Sequence, residues 1–215
     1  MKTKIIGLVQ VKGGAGRSTV ATNLAGELAR VGRTLLVDCD MPQGTSASWA
    51  AIRNESKPSD RFLADTANTH AELVELVEKM RGQVDYIVLD GPPRIAEIAR
   101  TILLLADLSL VPVGASAAEV WATSDMVAQI EQARKVRKID ARLLWTRFRA
   151  YTQLAQELAQ EADKALKLPA LKTVLGYRVA YAEALGQGLT AAELHDSNAR
   201  QEVVGLAVEI KRILK

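Results

Sequence analysis

The sequence has little cysteine, few aromatic residues and no long hydrophobic run. Cys39 is the only cysteine among 215 residues, which excludes an intramolecular disulfide and a cysteine-rich metal site supplied by one chain. Aromatic residues make up 4% of the chain and hydrophobic residues 48%, so we expect a core of Leu, Val, Ile and Ala. No run reaches the roughly 18 apolar residues of a membrane span. Lys12 and the nearby glycines interrupt the first apolar run too early for a signal peptide, so we expect a cytoplasmic protein.

The overall charge is modest and the composition is even along the chain. A net charge of +3 does not make the whole molecule a nucleic-acid binder, although basic clusters can still act locally. No linker, internal repeat or low-complexity run divides the sequence. Its length suits one α/β domain with a sizeable core, and we expect a single domain over residues 1–215.

A glycine-rich segment at residues 11–19 separates two contrasting patterns. Residues 4–10 form an apolar run typical of a strand, and apolar positions spaced as in an amphipathic helix follow it up to residue 31. A glycine-rich loop before a helix binds phosphate through successive backbone N–H groups and the positive helix N-terminus. The pattern departs from G-x-x-x-x-G-K-[ST] at Val11 and Arg17. The alternative is an ordinary glycine-rich turn.

Two further strands end in acidic residues. Residues 33–38 form an apolar run that ends at Asp38, with Asp40 two positions later. Residues 84–90 end at Asp90 and turn sharply at Gly91, which is a Walker B pattern whose carboxylate holds magnesium through water. Alternating strands and helices with such strand ends predict an α/β fold, a doubly wound and mostly parallel sheet of the P-loop NTPase type.

The remaining periodicity completes this alternation. We predict further strands at residues 61–65, 108–113, 141–148 and 171–175, and helices at residues 46–55, 69–80, 94–105, 117–136, 151–166 and 198–214. Trp121 leaves two alternatives open, packing on the sheet or facing a partner chain.

Residues 12–18, Lys-Gly-Gly-Ala-Gly-Arg-Ser, resemble the deviant Walker A loop K-G-G-x-G-K-[ST] of the ParA/MinD family of ATPases. Residues 38–44 resemble its D-x-D-P-Q-G motif, with Met41 as one extra residue, and residues 177–193 resemble its R-x-x-Y stretch. The resemblance covers nearly the whole chain. Lys12 matches the signature lysine, which in that family reaches across a nucleotide-sandwich dimer to the partner's phosphates. Arg17 stands where the family has lysine.

The resemblance implies a set of site residues. Lys12, Arg17 and Asp38 are the catalytic candidates, and Ser18, Asp40 and Asp90 are the magnesium candidates. For Asp38 and Asp40 the alternative is a solvated strand end. The expected nucleotide-binding residues are the loop residues Gly13, Gly14, Ala15, Gly16, Arg17, Ser18 and Thr19, together with Thr146 and Arg147 as adenine contacts.

The resemblance also implies the cofactors and partners. It implies ATP and Mg²⁺, a homodimer in the ATP state, non-specific DNA binding on the nucleoid, and a small ParB-like adaptor that stimulates hydrolysis. The cargo would be a plasmid, a chromosomal region or a protein assembly. Because the first strand begins at residue 4, we expect the small subtype without a preceding helix-turn-helix domain.

A basic cluster is the candidate DNA contact. Arg134, Lys135, Arg137 and Lys138 place four cations within five positions at the end of a predicted helix, a pattern suited to phosphate contact. The alternative is that such residues complement the helix dipole and stay solvated.

Three alternative functions have different sequence requirements. A MinD-like membrane-positioning ATPase needs an amphipathic membrane helix, but the last helix carries Glu202 and Glu209 and no aromatic residue. A metabolic synthetase of the P-loop superfamily lacks a signature lysine such as Lys12. A nucleotide-binding module without catalysis stays open because the guanidinium of Arg17, whether natural or introduced, is larger than a lysine ammonium and prefers bidentate geometry. We therefore expect weak or undetectable hydrolysis that Arg17→Lys restores.

Overall fold

The computed structural model describes residues 2–93, 96–149 and 165–215, together with Glu157 and Ala162. Its strands are β1 (Lys4–Leu8), β2 (Thr34–Asp38), β3 (Phe62–Thr66), β4 (Tyr86–Asp90), β5 (Leu108–Gly114) and β6 (Ala141–Thr146). Its helices are α1 (Arg17–Ala29), α2 (Thr45–Ser56), α3 (His70–Met80), α4 (Ala96–Leu105), α5 (Ala117–Arg134), α6 (Val179–Gly186) and α7 (Ser197–Ile213), with a 3₁₀ turn at Ala191–Glu193.

The six strands form one parallel sheet in the order β3-β2-β4-β1-β5-β6. The chain winds outward from β1 to β3, returns to insert β4 beside β1, and then continues to β5 and β6 on the other side. This confirms the predicted doubly wound α/β fold. In such sheets, ligands bind at the carboxyl ends of the strands where the winding direction reverses.

Alternate strand residues face two separate cores. Ile6 and Leu8 of β1 pack in a cluster with residues of α1, α2, α6 and α7. Their neighbour Ile5 packs in the other cluster, which draws on α3, α4 and α5. Successive side chains of a strand point to opposite faces, so helices cover both sides of the sheet.

Helix α1 is buried more completely than the sequence predicts. It has an amphipathic pattern, yet eleven of its thirteen residues are buried because other elements pack on its outer side. At Gly26, a Cβ atom would lie 2.3 Å from Thr190 Cγ2. Only glycine permits this close approach, which brings the segment before the 3₁₀ turn against α1.

The prediction of a regular strand at residues 171–175 is wrong. Two isolated bridges flank this segment: Ala170 pairs with Leu143 of β6, and Gly176 pairs with Phe148, two residues after β6 ends. Between them, the carboxylate of Glu209 on α7 accepts hydrogen bonds from the backbone N–H groups of Lys172 and Thr173, each at 2.8 Å. The Glu209 side chain thus binds backbone N–H groups in the stretch between the two bridges. Most of the predicted helix at 151–166 lies outside the described residues, and so do residues 94 and 95 at the start of the helix predicted for 94–105.

Trp121 on α5 is 74% exposed, so packing on the sheet is ruled out for this side chain. Whether it contacts a partner chain stays a prediction. Among the described helices, none combines the length and the apolar character needed to cross a membrane.

Candidate nucleotide site

The predicted phosphate loop and both acidic strand ends meet at one edge of the sheet. Leu8, the last residue of β1, is in register with Asp90 at the end of β4. Asp90 is in turn in register with Asp38 at the end of β2. Parallel pairing of β1, β4 and β2 therefore brings together three segments that are far apart in the sequence.

The loop between β1 and α1 needs glycine at two positions. Gly14 and Gly16 have φ angles of 74° and 95°, a left-handed conformation that glycine adopts without steric cost. Gly16 is also the N-cap residue of α1, and no side chain caps this helix or places a negative charge in its first turn. The N–H groups at the start of α1 are thus available to an anion.

A cleft of about 460 Å³ opens in front of this loop. Asp40 and Gln43 from the loop between β2 and α2 face it, and Pro93 closes the side next to β4. All the predicted phosphate-contacting residues line it: Gly13, Gly14, Ala15, Gly16, Arg17, Ser18 and Thr19.

Asp38 lies behind this cleft and organises the loop that follows it. The side chain is buried, and its two oxygens accept hydrogen bonds from the backbone N–H groups of Asp40 and Ala47, each at 2.9 Å. Asp40, which is half-buried, is the residue that reaches the cleft. Burial raises the pKa of Asp40, while the charge of Arg17 acts to lower it. The catalytic role expected for Asp38 stays a prediction.

Asp90 is completely buried at the floor of the site. Its Oδ2 atom accepts a hydrogen bond from Ser46 Oγ at 2.5 Å. Burial raises the pKa of Asp90 to about 7, although the hydrogen bond from Ser46 acts to lower it. Its Oδ1 atom has no hydrogen-bond partner within the described part of the chain, so an ionised Asp90 would have one unsatisfied oxygen.

These residues fit a magnesium ion that arrives with a nucleotide. The described residues contain no group of three His, Cys, Asp or Glu side chains able to hold a metal alone. Mg²⁺ commonly binds through one or two carboxylates, waters and substrate phosphates instead. The Ser18 hydroxyl and Asp40 line the cleft and Asp90 keeps one unpartnered oxygen, so the three residues provide oxygen donors of that kind.

Arg17 is directed at backbone carbonyl groups. The side chain is buried; its Nε atom donates to the Gly91 carbonyl at 2.7 Å, and its Nη1 atom donates to the carbonyls of Gln10 and Lys12 at 2.7 Å each. Burial lowers the pKa of the guanidinium, and the charges of Asp90 and Asp40 act in the opposite direction. The phosphate-contacting and catalytic roles expected for Arg17 remain predictions.

Lys12 forms an ion pair at the other end of the loop. Its Nζ atom lies 3.0 Å from Oε1 of Glu119 on α5, and Arg147 Nη2 lies 3.0 Å from the same oxygen. Although burial favours its neutral form, the hydrogen bond from Lys12 and the charge of Arg147 lower the pKa of Glu119. The side chain of Lys12 is 38% exposed.

A second cleft, of about 400 Å³, adjoins the loop. It shares Gly14, Gly16 and Thr19 with the first cleft. Thr146 and Arg147, the predicted adenine contacts, both line it. The Thr146 hydroxyl donates to the Ala15 carbonyl at 3.0 Å, which fixes the end of β6 against the loop. Sequence reasoning missed the other wall, formed by Leu175, Gly176, Tyr177, Arg178, Val179, Tyr181, Ala182 and Leu185.

Glu202 on α7 holds that second wall in place. Its carboxylate accepts hydrogen bonds from Gly176 N at 2.9 Å, Tyr181 Oη at 2.7 Å and Arg178 Nε at 2.9 Å. The resemblance of residues 177–193 to a family motif was the available signal for this wall, although it did not assign these residues a role.

The basic cluster lies at the opposite edge of the sheet, at the carboxyl end of α5. Arg134 pairs with Glu131, and the Arg137 guanidinium donates to the carbonyls of Leu104 and Ala106. Lys135 and Lys138 are exposed. The cluster is thus divided between cations with protein partners and cations that face solvent.

A parallel sheet with a phosphate-binding loop after its first strand defines the class of P-loop nucleotide-binding proteins. Residues 6–191 match the model of the CobQ/CobB/MinD/ParA nucleotide binding domain. The chain belongs to this family.

Two bacterial proteins are similar to this chain over most of its length. The chain is 31% identical over 221 residues to the chromosome-partitioning ATPase Soj of Thermus thermophilus, covering 89% of this chain and 88% of the relative. It is 28% identical over 195 residues to the maintenance of carboxysome distribution protein A of Halothiobacillus neapolitanus, covering 90% and 88%.

Solved structures share the fold at low sequence identity. An aspartate-to-alanine variant of Cyanothece McdA in complex with ATP matches with a TM-score of 0.82 at 16% identity, over 97% of this chain and 96% of that one. The Pyrococcus furiosus cell division ATPase MinD matches with a TM-score of 0.76 at 19% identity, over 98% and 99%.

Proposed function

We propose that the protein is an ATP-dependent partition or positioning ATPase that forms a nucleotide-sandwich dimer and binds DNA without sequence specificity. The observation that carries this proposal is the pair of joined clefts. One is bordered by backbone N–H groups and acidic residues, the other is largely apolar, and both contain Gly14, Gly16 and Thr19. A nucleoside triphosphate has the matching division into a charged and an aromatic end.

The residues of the first cleft have different roles in binding the phosphates. The backbone N–H groups of residues 13–19 and the start of α1 bind the phosphates. Ser18 and Asp90 hold Mg²⁺, which supplies positive charge against the β- and γ-phosphates. Asp40 lines the cleft and is placed to orient a water molecule, while Asp38 fixes the loop that carries Asp40.

Arg17 makes hydrolysis slow in this proposal. A lysine in its place would have a flexible stem and a compact ammonium able to enter the loop. The Arg17 guanidinium is instead held by three carbonyl groups, so its charge supports the loop from behind. Transition-state charge on the γ-phosphate therefore lacks one of its usual cations.

Lys12 supports the dimer. Its ammonium pairs with Glu119, and its side chain is 38% exposed. Because Glu119 also pairs with Arg147, it keeps a cation when Lys12 exchanges it for a triphosphate of a second copy. The homodimer would form in the ATP state and separate after hydrolysis.

Relatives suggest the kind of cargo. The names of two similar proteins refer to chromosome partitioning and to carboxysome distribution, and a similar solved structure is a MinC:MinD complex. We propose that this chain positions a plasmid, a chromosomal region or a protein assembly through a small adaptor that stimulates hydrolysis. Membrane attachment through α7 has little support because Val203, Leu206 and Ile210 of its apolar stripe are buried in the core.

DNA binding is proposed for the basic cluster and is tested by retention of random-sequence duplex DNA with ATP and Mg²⁺. Lys135→Ala/Lys138→Ala should weaken binding uniformly and reduce the salt slope by about 2, one for each lost phosphate contact. Lys79→Ala/Arg81→Ala, which removes two cations at the carboxyl end of α3, is the matched control. If both pairs behave alike, the cluster is the wrong site. If wild-type protein retains no DNA in any nucleotide state, DNA binding is refuted.

A further inference from the structure

Ser46 connects the start of α2 to the floor of the site. It is the second residue of α2 and is fully buried. Its hydroxyl donates to Asp90 Oδ2 at 2.5 Å, across a sequence separation of 44 residues. No motif in the sequence singles out this serine.

The same turn of α2 is also attached to the neighbouring strand end. Ala47 N donates to Asp38 Oδ2 at 2.9 Å, and Gly44 N donates to the Asp40 carbonyl at 2.9 Å. The first turn of α2 thus contacts the ends of both β2 and β4. The loop at residues 39–44, which carries Asp40 into the cleft, lies between these attachments.

This arrangement leaves the two oxygens of Asp90 in different situations. Oδ2 is engaged by Ser46, whereas Oδ1 is without a hydrogen-bond partner among the described residues. A carboxylate with one oxygen fixed by a donor has a defined orientation, as do metal-binding carboxylates that are themselves hydrogen-bonded. The free Oδ1 is then the oxygen available to a magnesium-bound nucleotide.

We propose that Ser46 is a positioning residue that orients Asp90 toward magnesium and couples that carboxylate to the loop carrying Asp40. This inference rests on the proposed function, because it assumes that Mg²⁺ and nucleotide bind at this site. Ser46 acts through Asp90 and touches neither the nucleotide nor the metal.

The test separates magnesium-dependent from magnesium-independent nucleotide binding. Affinity for a fluorescent ADP analogue is measured in EDTA and over a Mg²⁺ titration, for wild-type protein, Ser46→Ala and Ser48→Ala. Ser48 is exposed on the same helix and is the matched control. Ser46→Ala should raise the half-saturating Mg²⁺ concentration about 10-fold and leave affinity in EDTA within about 2-fold, and Ser48→Ala should resemble wild type.

Several results would overturn the proposal. If the Mg²⁺ requirement is unchanged in Ser46→Ala, Ser46 does not position Asp90. If the variant loses affinity for the ADP analogue equally in EDTA and in Mg²⁺, the role of Ser46 is purely structural. Should Ser46→Ala not fold, Ser46→Cys, which keeps the volume with a weaker donor, replaces it and is held to the same outcomes. A wild-type protein that binds no nucleotide under either condition refutes the proposed function itself, whereas normal ADP binding with an unaltered Mg²⁺ response in the variant refutes only the role of Ser46.

Discussion

Arg17 Nε donates to the carbonyl oxygen of Gly91 at 2.7 Å, joining the start of α1 to the turn that follows β4. The same guanidinium holds the carbonyls of Gln10 and Lys12 in the phosphate loop. One buried side chain thus connects the loop to the segment that carries Asp90. This contact gives Arg17 a structural function that a lysine would not fully replace, because one ammonium cannot span the same carbonyl groups as a planar guanidinium.

Arg17→Lys should therefore increase hydrolysis and reduce stability. A lysine is free to approach the phosphates, but it leaves one or two buried carbonyls without a donor, at about 1–3 kcal/mol each. Steady-state ATPase assays and thermal unfolding without nucleotide measure the two effects, with a fall of about 2–4 °C expected for each kcal/mol lost. Arg30→Lys, at the exposed end of α1, is the control. Equal turnover together with equal stability would contradict this account.

Glu202 and Glu209 allow a test of whether the second cleft binds the base of the nucleotide. Both lie on α7, and both accept hydrogen bonds from backbone N–H groups of the segment beside β6. Of the two, Glu202 also accepts a hydrogen bond from Tyr181 in the wall of the second cleft. Glu202→Gln should weaken ADP binding several-fold, since the wall carrying Tyr181 loses its anchor. Glu209→Gln should leave ADP affinity near that of wild type. Isothermal titration calorimetry measures the ADP affinity of both variants. Similar losses of ADP affinity in the two variants would contradict the proposal that the second cleft binds the base of the nucleotide.

Glu193 gives the fold a defined pH dependence. Burial opposes its ionisation, yet hydrogen bonds from Arg53, Thr190 N and Lys57 lower its pKa to about 2 from 4.5. Its folded-state pKa is depressed, so its contribution is present above about pH 4.5 and is lost as the pH falls toward 2. After discounting for solvent screening, Glu193→Gln should cost about 1–2 kcal/mol at pH 7.

Urea unfolding at pH 7, 4 and 3 measures that difference. The difference in the free energy of unfolding between Glu193→Gln and wild type should become smaller as the pH decreases. Glu78→Gln, which removes the exposed partner of Arg81, should show a small effect throughout. A difference in the free energy of unfolding that stays constant with pH would mean that the charge of Glu193 does not stabilise the fold.

The sequence predicted the parts of the fold that depend on local pattern. Apolar runs and period-3.6 apolar spacing gave the type of most regular elements, but helix α6 was not predicted. The acidic strand ends at Asp38 and Asp90 indicated the functional edge. The strand expected at residues 171–175 failed because Glu209, far along the chain, binds the backbone N–H groups there. A local pattern contains no information about such a distant acceptor.

The same limit applies to the site. The glycine spacing located the loop, and the register of β1, β2 and β4 confirms that the carboxylates lie beside it. The pairing of Ser46 with Asp90, and of Lys12 with Glu119, joins residues 44 and 107 positions apart. Residue types alone do not reveal which distant groups meet, nor that the guanidinium of Arg17 donates to three backbone carbonyls.

The most direct test of the proposed function is the molar mass of the protein in solution, measured by size-exclusion chromatography with light scattering in ADP, ATP and a slowly hydrolysed ATP analogue, each with Mg²⁺. We predict a monomer with ADP, a dimer with ATP or the analogue, and a monomer in every condition for Lys12→Ala. A wild-type protein that is monomeric in all nucleotide states, or a Lys12→Ala variant that dimerises as wild type does, would contradict it.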